Sequence, residues 1–449
     1  MVKVIVAPVK YDCEDRLGSF GSEADYDILV EEDTDCYMPE DHSLVGSEGA
    51  VDEKRLAFKF RKNYFSKEEQ DLAYEGLHEA AVKSDNRGLA SGSIDQDSSI
   101  KKFVTEEELD VIDFLINPPN ELFGSTETIE SLLEKVDANK TLSTRACIWL
   151  VAKIVEFDFK EWALKTYSLE LKERVKEATR ISETFISKTN YANAVRSGIA
   201  GWFDRYPRIP FGRATAYTEN KFDKFQLSFK FLQTLNKGFK ELSPIRYAAQ
   251  KAAIDKMDKE FVVPETVFTT ITVNKTFRTA YHRDKGDFTE GLSNLLVLSN
   301  DGNYTGGYLI FPEYRVAVNV RPGDLLLVNN HEIIHGNTPI VLGSEESNRV
   351  SLVCYLRENM IGLGVKKYED LRKKFVEDRR NNTSHKEYRP LWNGISPSMW
   401  ADDDTTDKNL AKEWYDYLKA SENGEQYLKD YHPWLLDHFE GCGLDEFFQ

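Results

Sequence analysis

Cysteine is scarce in this 449-residue chain: Cys13, Cys36, Cys147, Cys354 and Cys442 are odd in number, widely separated and free of CxxC spacing. That excludes a disulfide framework or a zinc ribbon and makes free thiols the expected state. Long apolar runs are also missing. No stretch approaches the ~20 residues of a membrane-spanning helix, and the apolar patch within MVKVIVAPVK is too short for the hydrophobic part of a signal peptide. The expectation is a cytoplasmic protein with no membrane partner. Internal repeats and low-complexity tracts are absent as well, which removes solenoids and arrays from consideration.

An excess of basic charge is the next thing lacking. The formal net charge is −18, which at first sight argues against a nucleic-acid partner. Its distribution changes that reading. Residues 1–54 hold fifteen acidic and four basic side chains, and residues 401–449 hold thirteen and four, so the body between them is close to neutral. What remains is an ordinary globular composition, 41% hydrophobic and 12% aromatic, long enough for a large core and two to three domain-sized units.

Four regions follow from the texture of the chain. Residues 1–54 form an acidic leader, expected to be weakly ordered or to add one small strand. Residues 55–189 read as a helical N-terminal region with an insertion. Ser66 with Glu69, and Thr105 with Glu108, are capping-box pairs ahead of helical patterns, and further helical periods follow in STETIESLLEKV and between about 141 and 187. From 190 to 360, after one more helix near 221–258, short strand-like runs dominate: VFTTITVN, NLLVLS, YLIFP, YRVAVNV, DLLLVN and RVSLVCYLR, punctuated by DGNYTGG and RPGD. Strands of this length and spacing indicate a sandwich or barrel. Residues 361–449 return to helices and form an acidic C-terminal tail.

Within the strand-rich region, His331 to His335 spell HEIIH, the zinc-protease pattern in which two histidines one helical turn apart share a metal. The pattern works only inside a helix. Here RPGDLLLVNN precedes it as a turn and a buried strand, and Gly336, Asn337 and Pro339 follow it, so the helix is missing and the protease reading fails.

A different set of residues fits the flanks. In an extended segment, His282 and Asp284 of FRTAYHRDKGDF point to one side and can face one metal. A later histidine completes two His and one carboxylate, the facial set that leaves positions open on Fe(II). His331 and His335 are the two later histidines that can supply it. Arg349 then enters the apolar strand VSLVCYL. A guanidinium directed into a barrel needs an anionic partner, and the carboxylate of 2-oxoglutarate offers two-pronged pairing.

The order HxD, His, Arg, together with the surrounding text NKTFRTAYHRDKGDF, GNYTGGYLIFPEYRVAVNVRPGDLLLVNNHEIIHGNT and RVSLVCYLR, resembles the TET and base-J-binding-protein (JBP) thymine hydroxylase family, bacteriophage members above all. The resemblance is dense over about 190–360 and touches NRGLASG near residue 86. It implies an α+β protein whose core is a double-stranded β-helix of jelly-roll, cupin-like form, with flanking helices, a helical insertion and a helical C-terminal tail. It implies an Fe(II)- and 2-oxoglutarate-dependent dioxygenase that uses O₂ to hydroxylate the 5-methyl group of a pyrimidine in DNA, thymine ahead of 5-methylcytosine, the base being flipped out or single-stranded. A protein or small-molecule hydroxylase on the same fold is the alternative. If the chain is phage-encoded, its location would be the host cytoplasm.

Position by position, the resemblance assigns iron to His282, Asp284 and His335, and 2-oxoglutarate to Arg349; it prefers His335 as the third ligand and leaves His331 as the competing candidate or a residue behind the ligands. Asn274 and Arg278, on the strand leading to HxD, are candidates for cosubstrate contacts. Arg208, Phe211, Arg213 and Tyr217, in the aromatic and basic stretch RYPRIPFGRATAYT, are candidates for contact with the base and its strand.

Overall fold

The computed structural model describes residues 2–7, 9–39, 55–84, 87–92, 195–205, 209–382 and 405–440. The helices expected between 105 and 187, and Arg208, lie outside these residues. Among the described residues the strands are β1 (Lys3–Val6), β2 (Ile28–Val30), β3 (Thr34–Tyr37), β4 (Leu56–Arg61), β5 (Lys83–Ser84), β6 (Val195–Arg205), β7 (Ile209–Ala214) and β8 (Thr270–Lys275). They continue as β9 (Ser293–Ser299), β10 (Tyr304–Gly306), β11 (Leu309–Phe311), β12 (Val316–Val318), β13 (Leu325–Val328), β14 (Gly336–Asn337), β15 (Ile340–Leu342) and β16 (Arg349–Tyr355).

A large sheet runs β1-β3-β4-β13-β9-β16-β8-β6-β5, with β7 hairpinned onto β6. A smaller sheet, β14-β11-β12-β2, faces it, and β10 pairs with β15 apart from both. The central strands explain themselves by period two. In β13, Leu325 and Leu327 point to one core while Leu326 and Val328 point to the other, and β9 divides Leu296 and Leu298 from Leu295 and Val297 in the same way. Both faces of the large sheet are covered, so these strands read as unbroken apolar runs without alternation.

The core between the sheets contains Phe58, Phe311, Val316 and Val318, with the Phe58 and Phe311 rings stacked at 5.3 Å. The outer face of the large sheet is covered by helices α1 (Lys67–Leu77), α2 (Ala216–Asn220), α3 (Phe222–Leu227), α4 (Phe229–Leu242) and α5 (Pro244–Asp255). The Ser66 capping box starts α1: Ser66 Oγ accepts from the Glu69 amide at 3.3 Å, and Glu69 Oε2 accepts from the Ser66 amide at 3.1 Å. The single helix expected near 221–258 is three, interrupted at Ser228 and at Ser243 before Pro244, where the ring has no N–H to continue the ladder.

Two expectations about the N-terminal part are corrected. Over its described residues the leader is built into both sheets: β1 lies parallel to β3, and β2 lies parallel to β12, pairing Ile28–Val30 with Val316–Val318. Its acidic side chains face outward or meet cations, as in the Asp27–Arg315 pair at 2.6 Å, so acidity did not prevent order. The second correction is β4, inside a region read as helical. Leu56, Phe58 and Phe60 alternate with Lys59 and Arg61, and the strand pairs with β13 near the centre of the large sheet.

The C-terminal layer consists of α6 (Lys366–Asn382), α7 (Thr405–Lys419), α8 (Gly424–Tyr431) and α9 (Pro433–Glu440). Its own core is aromatic, with Tyr368, Phe375, Trp414 and Tyr427 buried together. Among the described residues no helix is long and apolar enough to cross a membrane.

Candidate active site

The segment after β13 turns at residues 330–333 and passes straight into β14, with no helix over HEIIH. His335 instead forms an antiparallel bridge with His282: each amide donates to the other's carbonyl at 3.0 Å. The bridge sets the two rings beside each other, 4.3 Å between centroids. Each Nδ1 is held by the carbonyl two residues earlier, His282 by Ala280 at 2.8 Å and His335 by Ile333 at 3.0 Å. Both Nε2 atoms are thereby directed at Asp284, 3.5 Å and 3.6 Å from its two carboxylate oxygens.

All three donor atoms lie within 4.8 Å of one another, a spacing that one ion can bridge. Two imidazole nitrogens and one carboxylate on adjoining chain segments fit an octahedral metal with open positions. His331 stands outside this cluster, and its Nδ1 is buried without a partner.

Burial opposes charge on Asp284, but the hydrogen bonds and charges of His282 and His335 outweigh it and hold its pKa below the usual carboxylate range. Burial likewise works against protonation of His282, and Asp284 overcomes it, raising that pKa. Asn330 steadies the carboxylate, donating from Nδ2 to Asp284 Oδ2 at 3.1 Å and accepting the Asp284 amide at 2.9 Å. Ligand orientation by such neighbours is a general requirement of metal sites.

The cluster opens into a cavity of about 470 Å³ between the sheets. Along β16, period two places Ser351, Val353 and Tyr355 on the cavity wall. Ser351 pairs with Asn274 and Asn274 with Ser197 across three strands, so a polar row crosses the wall, and Ser197 Oγ donates to Asn274 Oδ1. Asp287 is a second buried carboxyl on the wall. Burial and then the charge of Asp284 raise its pKa, and Ser293 Oγ donates to it at 2.5 Å. At the mouth, the Arg357 guanidinium lies 4.3 Å over the Phe203 ring and pairs with Asp204 at 2.5 Å.

Arg349 begins β16 on the same face as Ser351 and is 2% exposed. Its Nη2 donates to the Gly307 carbonyl at 3.2 Å, the same oxygen that Asn337, on the cavity wall, reaches at 3.2 Å. Its Nε has no partner at ordinary hydrogen-bond distance, while the buried Tyr304, whose own strand ends just before Gly307, lies close enough for its hydroxyl to interact with the guanidinium. Gly307 has φ +70, and a Cβ there would stand 3.0 Å from Arg349 Nε, so glycine leaves the guanidinium its room. No carboxylate pairs with Arg349 among the described residues. Burial, followed by the charge of Arg321, lowers its pKa. A buried cation with an orphaned donor fits an incoming carboxylate.

Other sequence candidates are placed elsewhere. Arg278 donates to Gly21 O at 2.6 Å and lies over Phe20, engaged with the leader and facing a neighbouring cavity. Phe211 is buried, Tyr217 packs on the outer core and donates to Gly76 O at 2.7 Å, and Arg213 sits opposite Phe203 in the β6/β7 hairpin; none of the three lines the cavity. Their aromatic and basic texture reflects packing of a hairpin against helices. Sequence reading passed over Asn330, Asp287, Ser351 and Tyr355. Extending the period-two step from Arg349 would have found Ser351 and Tyr355. The others depend on the cavity's shape.

Residues 207–358 match the family model of the TET/JBP oxygenase domain of the 2OGFeDO superfamily, which bears out the resemblance read from the sequence. The chain is 40% identical over 164 residues to the bifunctional helicase and thymine dioxygenase JBP2 of Trypanosoma brucei brucei, covering 36% of this chain and 15% of that protein. It is 32% identical over 232 residues to the thymine dioxygenase JBP1 of the same organism, 48% of this chain and 26% of the relative. The chain therefore spans about a quarter or less of the length of these relatives. Among solved structures, NgTET1 in complex with 5mC DNA aligns at 21% identity and a TM-score of 0.32, covering 45% of this chain and 76% of that one.

Proposed function

We propose that this chain is an Fe(II)- and 2-oxoglutarate-dependent dioxygenase acting on the 5-methyl group of a pyrimidine base in DNA, thymine first. The observation that carries the reading is one pairing: a His-Asp-His cluster within 4.8 Å, and a buried Arg349 with an orphaned donor at the start of β16, the strand whose Ser351, Val353 and Tyr355 wall the cavity beside that cluster. The match of residues 207–358 to the TET/JBP oxygenase model supports it.

In this reading His282, Asp284 and His335 hold iron, and Arg349 receives the distal carboxylate of 2-oxoglutarate in two-pronged geometry. Asn274 and Ser351 line the space between. When bound, iron and cosubstrate supply the oxidation: O₂, 2-oxoglutarate and the methyl group become succinate, CO₂ and a hydroxymethyl group, one oxygen atom entering each organic product. The chain's task is to orient the reactants and exclude water. Tyr355 offers a planar wall, and Arg357 over Phe203 offers a second one at the mouth, surfaces on which a base removed from its stack can rest. Arg87 and Lys285 also line the cavity and suit the phosphates on either side.

The test is nucleoside mass spectrometry of DNA incubated with protein, Fe(II) and 2-oxoglutarate. Appearance of 5-hydroxymethyluracil is expected, with 5-hydroxymethylcytosine on methylated DNA as the lesser product. Succinate release that DNA does not stimulate, with no modified base, would overturn the reading.

A further inference from the structure

Glu313 is a carboxylate far more deeply buried than its charge alone would allow, 2% exposed on the turn after β11. Its Oε2 accepts the Ile334 amide at 2.6 Å, the N–H of the same peptide group whose carbonyl, on Ile333, holds His335 Nδ1. Its Oε1 lies 3.2 Å from Nη2 of Arg283, the residue between His282 and Asp284. Arg283 is itself bound to the other segment, since its Nε donates to Glu332 O at 2.8 Å. Two side chains of the leader complete the group: Lys10 Nζ stands 3.4 Å from Glu313 Oε1, and Glu14 Oε1 lies 2.6 Å from Arg283 Nη2.

One buried carboxylate thus touches the residue between the first two members of the cluster and the amide next to the third. His282 and Asp284 face the cavity, so alternation sends Arg283 to the opposite side, where it meets Glu313. A buried ion pair contributes little net stability compared with an apolar pair of the same volume. An apolar pair, however, could not accept the Ile334 N–H while holding a guanidinium.

Resting on the reading of the cluster as an iron site, we propose that Glu313 is a positioning residue for it, acting through Arg283 and the Ile334 amide to set the distance between the HxD segment and His335. Glu313 touches neither metal nor substrate. Its effect is on how nearly the three donors are arranged before metal arrives.

The experiment uses full-length protein stripped with chelator. Co(II) affinity is measured by calorimetry and by the visible absorption of the bound ion, and melting is measured in EDTA. Glu313→Gln and Arg283→Gln are each expected to weaken Co(II) binding by about tenfold or more, the range seen for groups that orient ligands. The double variant should lose less than the product of the two single losses, because the two residues share the Arg283–Glu313 link. Arg283→Gln keeps Glu313 paired with Lys10 and Ile334, so it serves where Glu313→Gln fails to fold.

Asp324→Asn is the control. That carboxylate is 1% exposed and bound to Lys62, Asn63 and Arg321, away from the cluster. It should lower the melting temperature and leave Co(II) affinity unchanged. Folded Glu313→Gln or Arg283→Gln protein with wild-type affinity would overturn the proposal, as would equal weakening by Asp324→Asn. Wild-type protein that binds no Co(II), or binds it unchanged after His282→Ala, would overturn the iron-site reading itself.

Discussion

In the two-sheet core, polar side chains gather around one cavity: His282, Asp284, Asp287, Asn274, Asn330 and His335 all line it. In the C-terminal helices, the buried polar side chain His432 is folded into aromatic packing, its Nε2 accepting from Tyr368 Oη at 2.5 Å and from Trp414 Nε1 at 3.1 Å. Both regions bury histidine, yet among the described residues only the two-sheet core sets two of them against a carboxylate with their outer nitrogens converging. Burial of a polar residue therefore says little until the direction of its free atoms is known. In the two-sheet core the outer nitrogens of His282 and His335 converge on Asp284 beside the cavity, and in the helical layer Nε2 of His432 turns to its aromatic neighbours.

The comparison breaks if the two regions cannot be damaged separately. The largest separation is expected from Asp284→Ala or His335→Ala, which should abolish metal binding and turnover while the C-terminal layer melts as before. His331→Ala should keep part of the activity, and loss of metal from that variant alone would move the third ligand to His331. Metal content and succinate release decide this. Next comes Arg349. Its lysine variant keeps the charge and loses the fork, so the 2-oxoglutarate concentration for half-maximal turnover should rise by roughly tenfold or more, with Co(II) binding retained. An unchanged requirement in the folded lysine variant would remove the role given to Arg349.

From the other side, Trp414→Ala should cost about 3–5 kcal/mol, the usual range for emptying a buried aromatic site, while Co(II) affinity stays at the wild-type value. Hydrogen exchange over α7 to α9 would register the loss, and a fall in metal affinity of similar size would show the regions to be one cooperative unit.

The last effect is one of pH. Burial, followed by the charge of Arg372, lowers the His432 pKa to about 3. The unfolded chain takes up that proton near the ordinary value of about 6.5, so the neutral ring's stability is complete above that pH. It is lost progressively as pH falls toward 3. Melting of the C-terminal layer across this window should be less pH-dependent in His432→Gln than in wild type.

The strand-rich centre was legible in the sequence because period two and turn residues act locally. The order HxD, His, Arg was legible because each residue type has few other reasons to sit there. β4 was hidden, since LAFKFR precedes a well-capped helix and its strand character depends on pairing with β13, far along the chain. The leader was misread for a similar reason: its acidic composition describes its solvent face, while Cys36, Val30 and Ile5 supply the inner one. Arg278, Phe211 and Tyr217 showed the opposite error, in which suggestive chemistry proved to be spent on packing. Residue type announced a capability, and only the neighbours determined its use.

The parallel pairing of β2 with β12 joins Ile28 to Val316 and Asp27 to Arg315, 288 positions apart. On a ribosome making ~5–20 residues per second, β2 is synthesised roughly fifteen to sixty seconds before its partner exists. Throughout that interval an edge strand, ILV, awaits a neighbour. Four consecutive polar residues, Glu31 to Thr34, three of them acidic, follow it immediately, and Asp25 and Asp27 precede it. These charges discourage premature pairing between nascent chains. The acidity that looked like a sign of disorder becomes, over the lifetime of synthesis, a means of keeping β2 available for a partner made much later.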